Sequence, residues 1–186
     1  MAKGVSGYVD FAATKDFVLR VHYEESYDVL SNTTQELQIT GIQVSPPHSY
    51  GGVWHYLEGT ISIGDTVVVS MNPSKPTHRV YLDAANTFYD VSGTLGSATG
   101  IVHESDGTKR IPISVYVRGH SDNGASGNGW LADGTQTIVL TTIPVGYIYI
   151  DNGSGPEAYQ CYIDNGFSWD QYVATVDNGF SFNECG

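Results

Sequence analysis

The chain is short of positive charge, of leucine and of cysteine, and each shortage excludes something. Eight Lys and Arg stand against 20 Asp and Glu in 186 residues, a formal net charge of −12. A grip on DNA or RNA needs clustered cations to neutralise phosphates, whereas these eight are scattered from Lys3 to Arg118. Nucleic acid is therefore not an expected partner, nor is an anionic membrane surface. No window of eighteen apolar residues is present, so no transmembrane helix and no membrane insertion are expected. Lys3, Asp10, Lys15 and Asp16 interrupt the first twenty residues, which leaves no apolar centre for a signal peptide. The two cysteines, Cys161 and Cys185, are too few to frame a metal site, and free thiols and a late disulfide both stay open.

What is abundant points to strands. Val (19) and Thr (16) far outnumber Leu (8), Gly reaches 22, and charged residues make up only 15%; β-branched residues favour strands over helices. Period-two alternation runs through Phe17, Leu19, Val21 and Tyr23, through Leu37 and Ile39, Ile61 and Ile63, and Val80 and Leu82. It is cleanest in Ile111, Ile113, Val115 and Val117, and Ile138 and Leu140 close the set. Asp106-Gly107 and Asp133-Gly134 are tight-turn dipeptides, each expected just before a strand. Pro112 is expected at a strand start or an edge, and a helix only at the N-terminus or around Asp83–Ala85. The fold class read from this pattern is all-β: an antiparallel β-sandwich, immunoglobulin-like or jelly-roll, over residues 16–144. Residues 1–15 are read as an N-terminal extension.

The chain divides at Pro144. Residues 144–186 hold six acids, no base and nine of the 22 aromatics. Within them Tyr149-Ile150-Asp151-Asn152-Gly153, Tyr162-Ile163-Asp164-Asn165-Gly166 and Thr175-Val176-Asp177-Asn178-Gly179 recur at a period of thirteen. Each unit over 145–186 reads as a small hairpin turning at Asn-Gly. A hairpin this short must stack on something, and without Lys or Arg to guard its edges it invites pairing with another chain. A homo-oligomer is expected.

Motifs for chemistry are missing. There is no Gly-x-Ser-x-Gly elbow, and His103-Glu104 lacks the second histidine of a helical zinc site. His103 is expected to fix the Asp106-Gly107 turn. Twenty acids make chance carboxylate pairs unavoidable, so no catalytic residue is assigned and no enzyme is expected. Asp122, Ser126, Asn128 and Asp133 faintly imitate a calcium loop, but Gly124 and a terminal Asp depart from the pattern. A plain loop is the simpler reading, and no cofactor or metal is expected.

Aromatics beside amide and carboxylate groups suit a sugar, which offers both C–H patches and hydroxyls. The repeats supply Tyr159, Tyr162, Asp164, Asn165, Phe167, Trp169, Tyr172, Phe180 and Phe182, read as ligand-binding or assembly residues. A second group is Tyr50, Trp54, His55 and Tyr56, although Trp54 and Trp130 are expected inside the sandwich.

Three segments carry a resemblance. They are residues 27–44, from Tyr27-Asp-Val-Leu-Ser-Asn32 to Gln43-Val44; residues 93–109, with His103-Glu-Ser-Asp106-Gly107-Thr108-Lys109; and residues 130–144, ending Leu140-Thr-Thr-Ile143-Pro144. Together they resemble a domain of structural and tail proteins from long-tailed phages of Gram-positive bacteria, over roughly 16–144, and the Asp-Asn-Gly units resemble repeats that follow such domains. The resemblance implies a virion protein, synthesised in the host cytoplasm, whose partners are itself and other virion proteins. The combined expectation is a tail-tip or fibre adhesin for a host-surface carbohydrate, the alternative being a filament or decoration subunit joined through its repeats.

Overall fold

The structure, a computed structural model, describes residues 2–28, 31–73, 78–91, 95–121 and 129–144, together with the backbone of 147–150 and 159–162. It is all-β, with two antiparallel sheets sharing one core. The first sheet runs β1 (Ala2–Ala12), β2 (Val18–Asp28), β3 (Thr33–Ser45), after which β3 is flanked by β7 (Tyr89–Asp90) and β8 (Ser97–Val102). The second runs β10 (Trp130–Val139), β9 (Arg110–Ser121), β4 (Val53–Ile63), with β5 (Thr66–Met71) and β6 (Arg79–Leu82) both on β4.

The alternation in the sequence becomes the core directly. Phe17, Leu19, Val21, Leu37 and Ile39 of the first sheet face Leu57, Ile61, Ile63, Ile113 and Val117 of the second, and all are buried. Burial of each such side chain contributes about 1.5–3 kcal/mol. A bulge between His22 and Tyr23 shifts the register of β2 on β3, so burial on β3 changes parity from Leu37 and Ile39 to Ile42 and Val44. Pro112 is the third residue of β9, next to the strand start where a missing amide is tolerated.

The structure departs from the sequence reading at four places. Residues 2–12 are no appendage but the edge strand β1, paired with β2 from Ala2↔Tyr27 to Ala12↔Val18; Phe11 is buried and Val5 and Val9 pack on the core. The only helical turn among the described residues is a three-residue 3-10 turn, Thr14–Asp16. Asp133-Gly134 is not a turn: it lies mid-strand in β10, opposite Tyr116 and Val115. Finally, β11 (Tyr147–Ile150) pairs with β12 (Tyr159–Tyr162) in the register Ile150↔Tyr159. Eight residues separate those two arms, so a two-residue turn at Asn152-Gly153 does not join them.

The two long sides of the molecule are closed differently. On one, Ala13 of the first sheet bridges to Ala132 of β10, and the Thr14 hydroxyl accepts from the Leu131 amide at 2.9 Å. On the other, β5 and β8 lie side by side with no pairing between them.

Candidate functional site

The segments that carry the resemblance meet around one buried carboxylate. Glu25, on β2, has no exposed surface. Its Oε2 accepts from the amide of Val5 at 3.1 Å, and from the amide and hydroxyl of Thr141 at 2.9 and 2.7 Å. Its Oε1 lies 2.5 Å from the Thr34 hydroxyl, which lies 2.8 Å from His103 Nε2. His103 Nδ1 donates to the Gly107 carbonyl at 2.9 Å, so His103 does hold the Asp106-Gly107 turn. That turn is completed by Asp106, whose Oδ1 accepts from the Thr108 hydroxyl and amide, contacts that hold its carboxyl below the usual range. Gly107 itself is at φ +77°, and a Cβ there would lie 1.7 Å from the Ile143 carbonyl oxygen. No residue but glycine fits this approach.

Hydrogens can be counted through this row. Oε1, Oγ1 and Nε2 stand in line at bonding distance and need two hydrogens between them, while the Thr34 hydroxyl brings one. With Nδ1 committed to a carbonyl, the Thr34 hydroxyl can donate to only one of its two neighbours. A hydroxyl, a histidine and a carboxylate in contact resemble a nucleophile relay, but Glu25, Thr34 and His103 are all buried. The arrangement is a clamp that ties β1, β2, β3, the turn after β8 and the segment after β10.

The exposed chemistry lies on the outer face of the second sheet. Because β4 buries His55, Leu57, Ile61 and Ile63, its alternate residues Trp54, Tyr56 and Glu58 point outward. Trp54 therefore does not pack in the core, contrary to expectation, whereas Trp130, on the inward parity of β10, does. Trp54 stands opposite Tyr81 of β6 with ring centroids 5.1 Å apart, and the Arg79 guanidinium lies 4.2 Å over the indole. Tyr56 is flanked by Arg79 on one side and His120 on the other. Glu58 accepts from His120 at 2.9 Å and from Arg118 at 3.5 Å, and Arg118 reaches the Tyr116 hydroxyl at 3.4 Å. Tyr81 and Tyr116 are 45% and 48% exposed, two of the three strongly exposed aromatics among the described residues.

The third, Tyr8, is on the outer face of the first sheet, which is occupied by its own contacts. Arg20 is held between the rings of Tyr8 and Phe88, 3.8 Å from each centroid, and bonds both carboxylate oxygens of Asp10 at 2.7 and 2.8 Å. Gln43 bridges His22 and Asp90. Cation and amide are spent on neighbours, so this face offers less to a ligand.

Of the residues singled out in the sequence, Tyr159 and Tyr162 fall on β12, opposite Ile150 and Tyr147. Asp164, Asn165, Phe167, Trp169, Tyr172, Phe180 and Phe182 lie outside the described residues. So do Asp122, Ser126 and Asn128 of the calcium-like loop, while Asp133 sits in β10. The second aromatic group splits: Trp54 and Tyr56 face outward, His55 is fully buried, and Tyr50 packs against the core. The candidate site residues missed in the sequence are Arg79, Tyr81, Tyr116, Arg118 and His120. The alternation of Tyr116 and Arg118 with Val115 and Val117 was the signal for the last three.

Compared with protein-family models, with curated proteins and with solved structures, the chain gives no match.

Proposed function

We propose that the chain is a non-enzymatic virion structural protein, a tail-tip or fibre adhesin that holds a host-surface carbohydrate. In this reading the immunoglobulin-like or jelly-roll sandwich presents the outer face of the second sheet, and the repeats follow as an assembly region. The observation that carries the carbohydrate part is the row Tyr81, Trp54, Tyr56 and Tyr116 with Arg79, Glu58, Arg118 and His120 between them. Aromatic faces suit the C–H patches of a pyranose, and fixed charged groups suit its hydroxyls. The virion part rests on the three resembling segments, which converge on Glu25, Gly107 and Thr141. A second reading is a filament or decoration subunit joined through its repeats, supported by their β-prone runs without Lys or Arg.

The test is a glycan array with the full chain beside Trp54→Ala and Tyr81→Ala. Both side chains are on the surface, so the variants keep their melting temperature within a few degrees while retention of the bound glycan drops roughly tenfold or more. A blank array with the parent chain, or unchanged retention by both variants, removes the carbohydrate reading.

A further inference from the structure

Edge strands are normally guarded by charge, proline, bulges or covering chain. On the closed side of this molecule the guards are present: β1 carries Lys3, Asp10 and a bulge between Lys3 and Ser6, and β10 carries Asp133 and is bridged at Ala132. On the other side β5 reads Thr-Val-Val-Val-Ser-Met and is bulged at Val68, while β8 reads Ser-Ala-Thr-Gly-Ile-Val, with no charge and no proline in either. Val67, Leu95 and Val102 there are 55%, 38% and 64% exposed. We propose that the outer edge of β8 accepts, as an added strand, a C-terminal repeat of a second copy of this chain.

The backbone is oriented for it. His103 donates its amide to the carbonyl of Asn32, the residue before β3. Amides alternate sides along a regular strand, so that of Val102, next to His103, points to the outer edge. Around Gly100 there is open space where a Cβ would stand, and among the described strands none pairs with β8 but β3.

The occupant is specified by where the chain goes next. Ile143 donates its amide to the Gly107 carbonyl in the turn that follows β8, so Pro144, the last described residue of the body, stands near the end of this strand. At about 3.3 Å per extended residue, residues 145–186 are long enough to reach a neighbour. They repeat a β-prone run three times, they hold no Lys or Arg to discourage pairing, and two of those runs form strands in β11 and β12. Their six acids meet no carboxylate on β8, unlike on β1 or β10. Added strands bind chiefly through the main chain, which matches an edge whose side chains are small and uncharged.

The test uses the full chain across a dilution series, reading mass by sedimentation and amide exchange at residues 98–102. Mass and protection of the Val102 amide fall together on dilution. Val102→Pro removes an outward amide without touching the β3 ladder, and it weakens association about tenfold or more. Val102→Lys, which cannot perturb the fold through its backbone, moves the mass in the same direction. A monomer at every concentration, protection that dilution leaves unchanged, as a strand from the same chain would give, or unaltered mass in both variants overturns the proposal. None of these readings involves carbohydrate, so the outcome stands apart from that of the array.

Discussion

His55 is the residue whose chemistry the fold constrains most. It has no exposed surface, and among the described residues neither of its ring nitrogens finds a hydrogen-bond partner, nor does Trp130 Nε1 nearby. Phe17 stacks on Trp130 at 5.4 Å, and Tyr50 meets His55 edge-on at 5.3 Å, so the ring is enclosed by aromatics. Burial, with a smaller push from His120, lowers the His55 pKa from 6.5 to about 4. Between those values the unfolded chain binds a proton that the folded chain refuses. Stability is therefore complete above pH 6.5 and is lost as pH falls towards 4, by roughly 3 kcal/mol in all. His55→Leu removes the titration without leaving a partner unpaired. Chemical denaturation at pH 7 should find the variant within about 1 kcal/mol of the parent, and the same titration at pH 4.5 should find it the more stable of the two. If both proteins lose stability equally across that range, the buried imidazole is not the acid-sensitive group.

At the scale of elements the Glu25 clamp makes the sharper prediction, because its partners come from four places in the chain. Glu25→Gln places an amide N–H beside the Thr34 hydroxyl, which is then free to donate to His103. This variant should stay within about 1–2 kcal/mol of the parent, whereas Glu25→Ala orphans the Thr141 amide, leaves Val5 only the Thr141 hydroxyl, and should cost about 3 kcal/mol or more; calorimetry on the three proteins decides it. If the two substitutions are equally harmful, the row carries a charge that glutamine cannot replace. The strands of the body were legible because alternation is strict where one face is buried: every inward position named from Phe17 to Val21 and from Ile111 to Val117 is buried. The parity of Trp54 was legible too, since it matches Glu58 and opposes Leu57, but its size drew it to the core. Strand β1 was hidden by Gly4 and Gly7, which break the run of Val5, Val9 and Phe11. Asp133-Gly134 misled because Gly134 lies inward, where a Cβ would stand 3.7 Å from Phe11, and needs no turn to explain it. The contacts of Glu25 could not be read at all, for nothing local links residue 25 to residue 141.

For the whole molecule, that last separation sets an order of events. The body has a sealed side at Ala13 and Ala132 and an unguarded side at β5 and β8, and the residues that complete its polar clamp, Thr141 and Ile143, stand at its very end. During synthesis the Glu25 carboxylate has Val5 from the start but must wait for nearly the entire body before Thr141 brings its amide and hydroxyl. A nascent chain stopped after Val139 should remain open to protease, while one stopped after Pro144 should resist it, and equal digestion of the two would show that the clamp is dispensable for completion. The 42 residues that follow then acquire a second role: they are the stretch still inside or near the ribosome when the body closes. By the time the repeats emerge, the strand edge they are proposed to seek already exists on every finished neighbour.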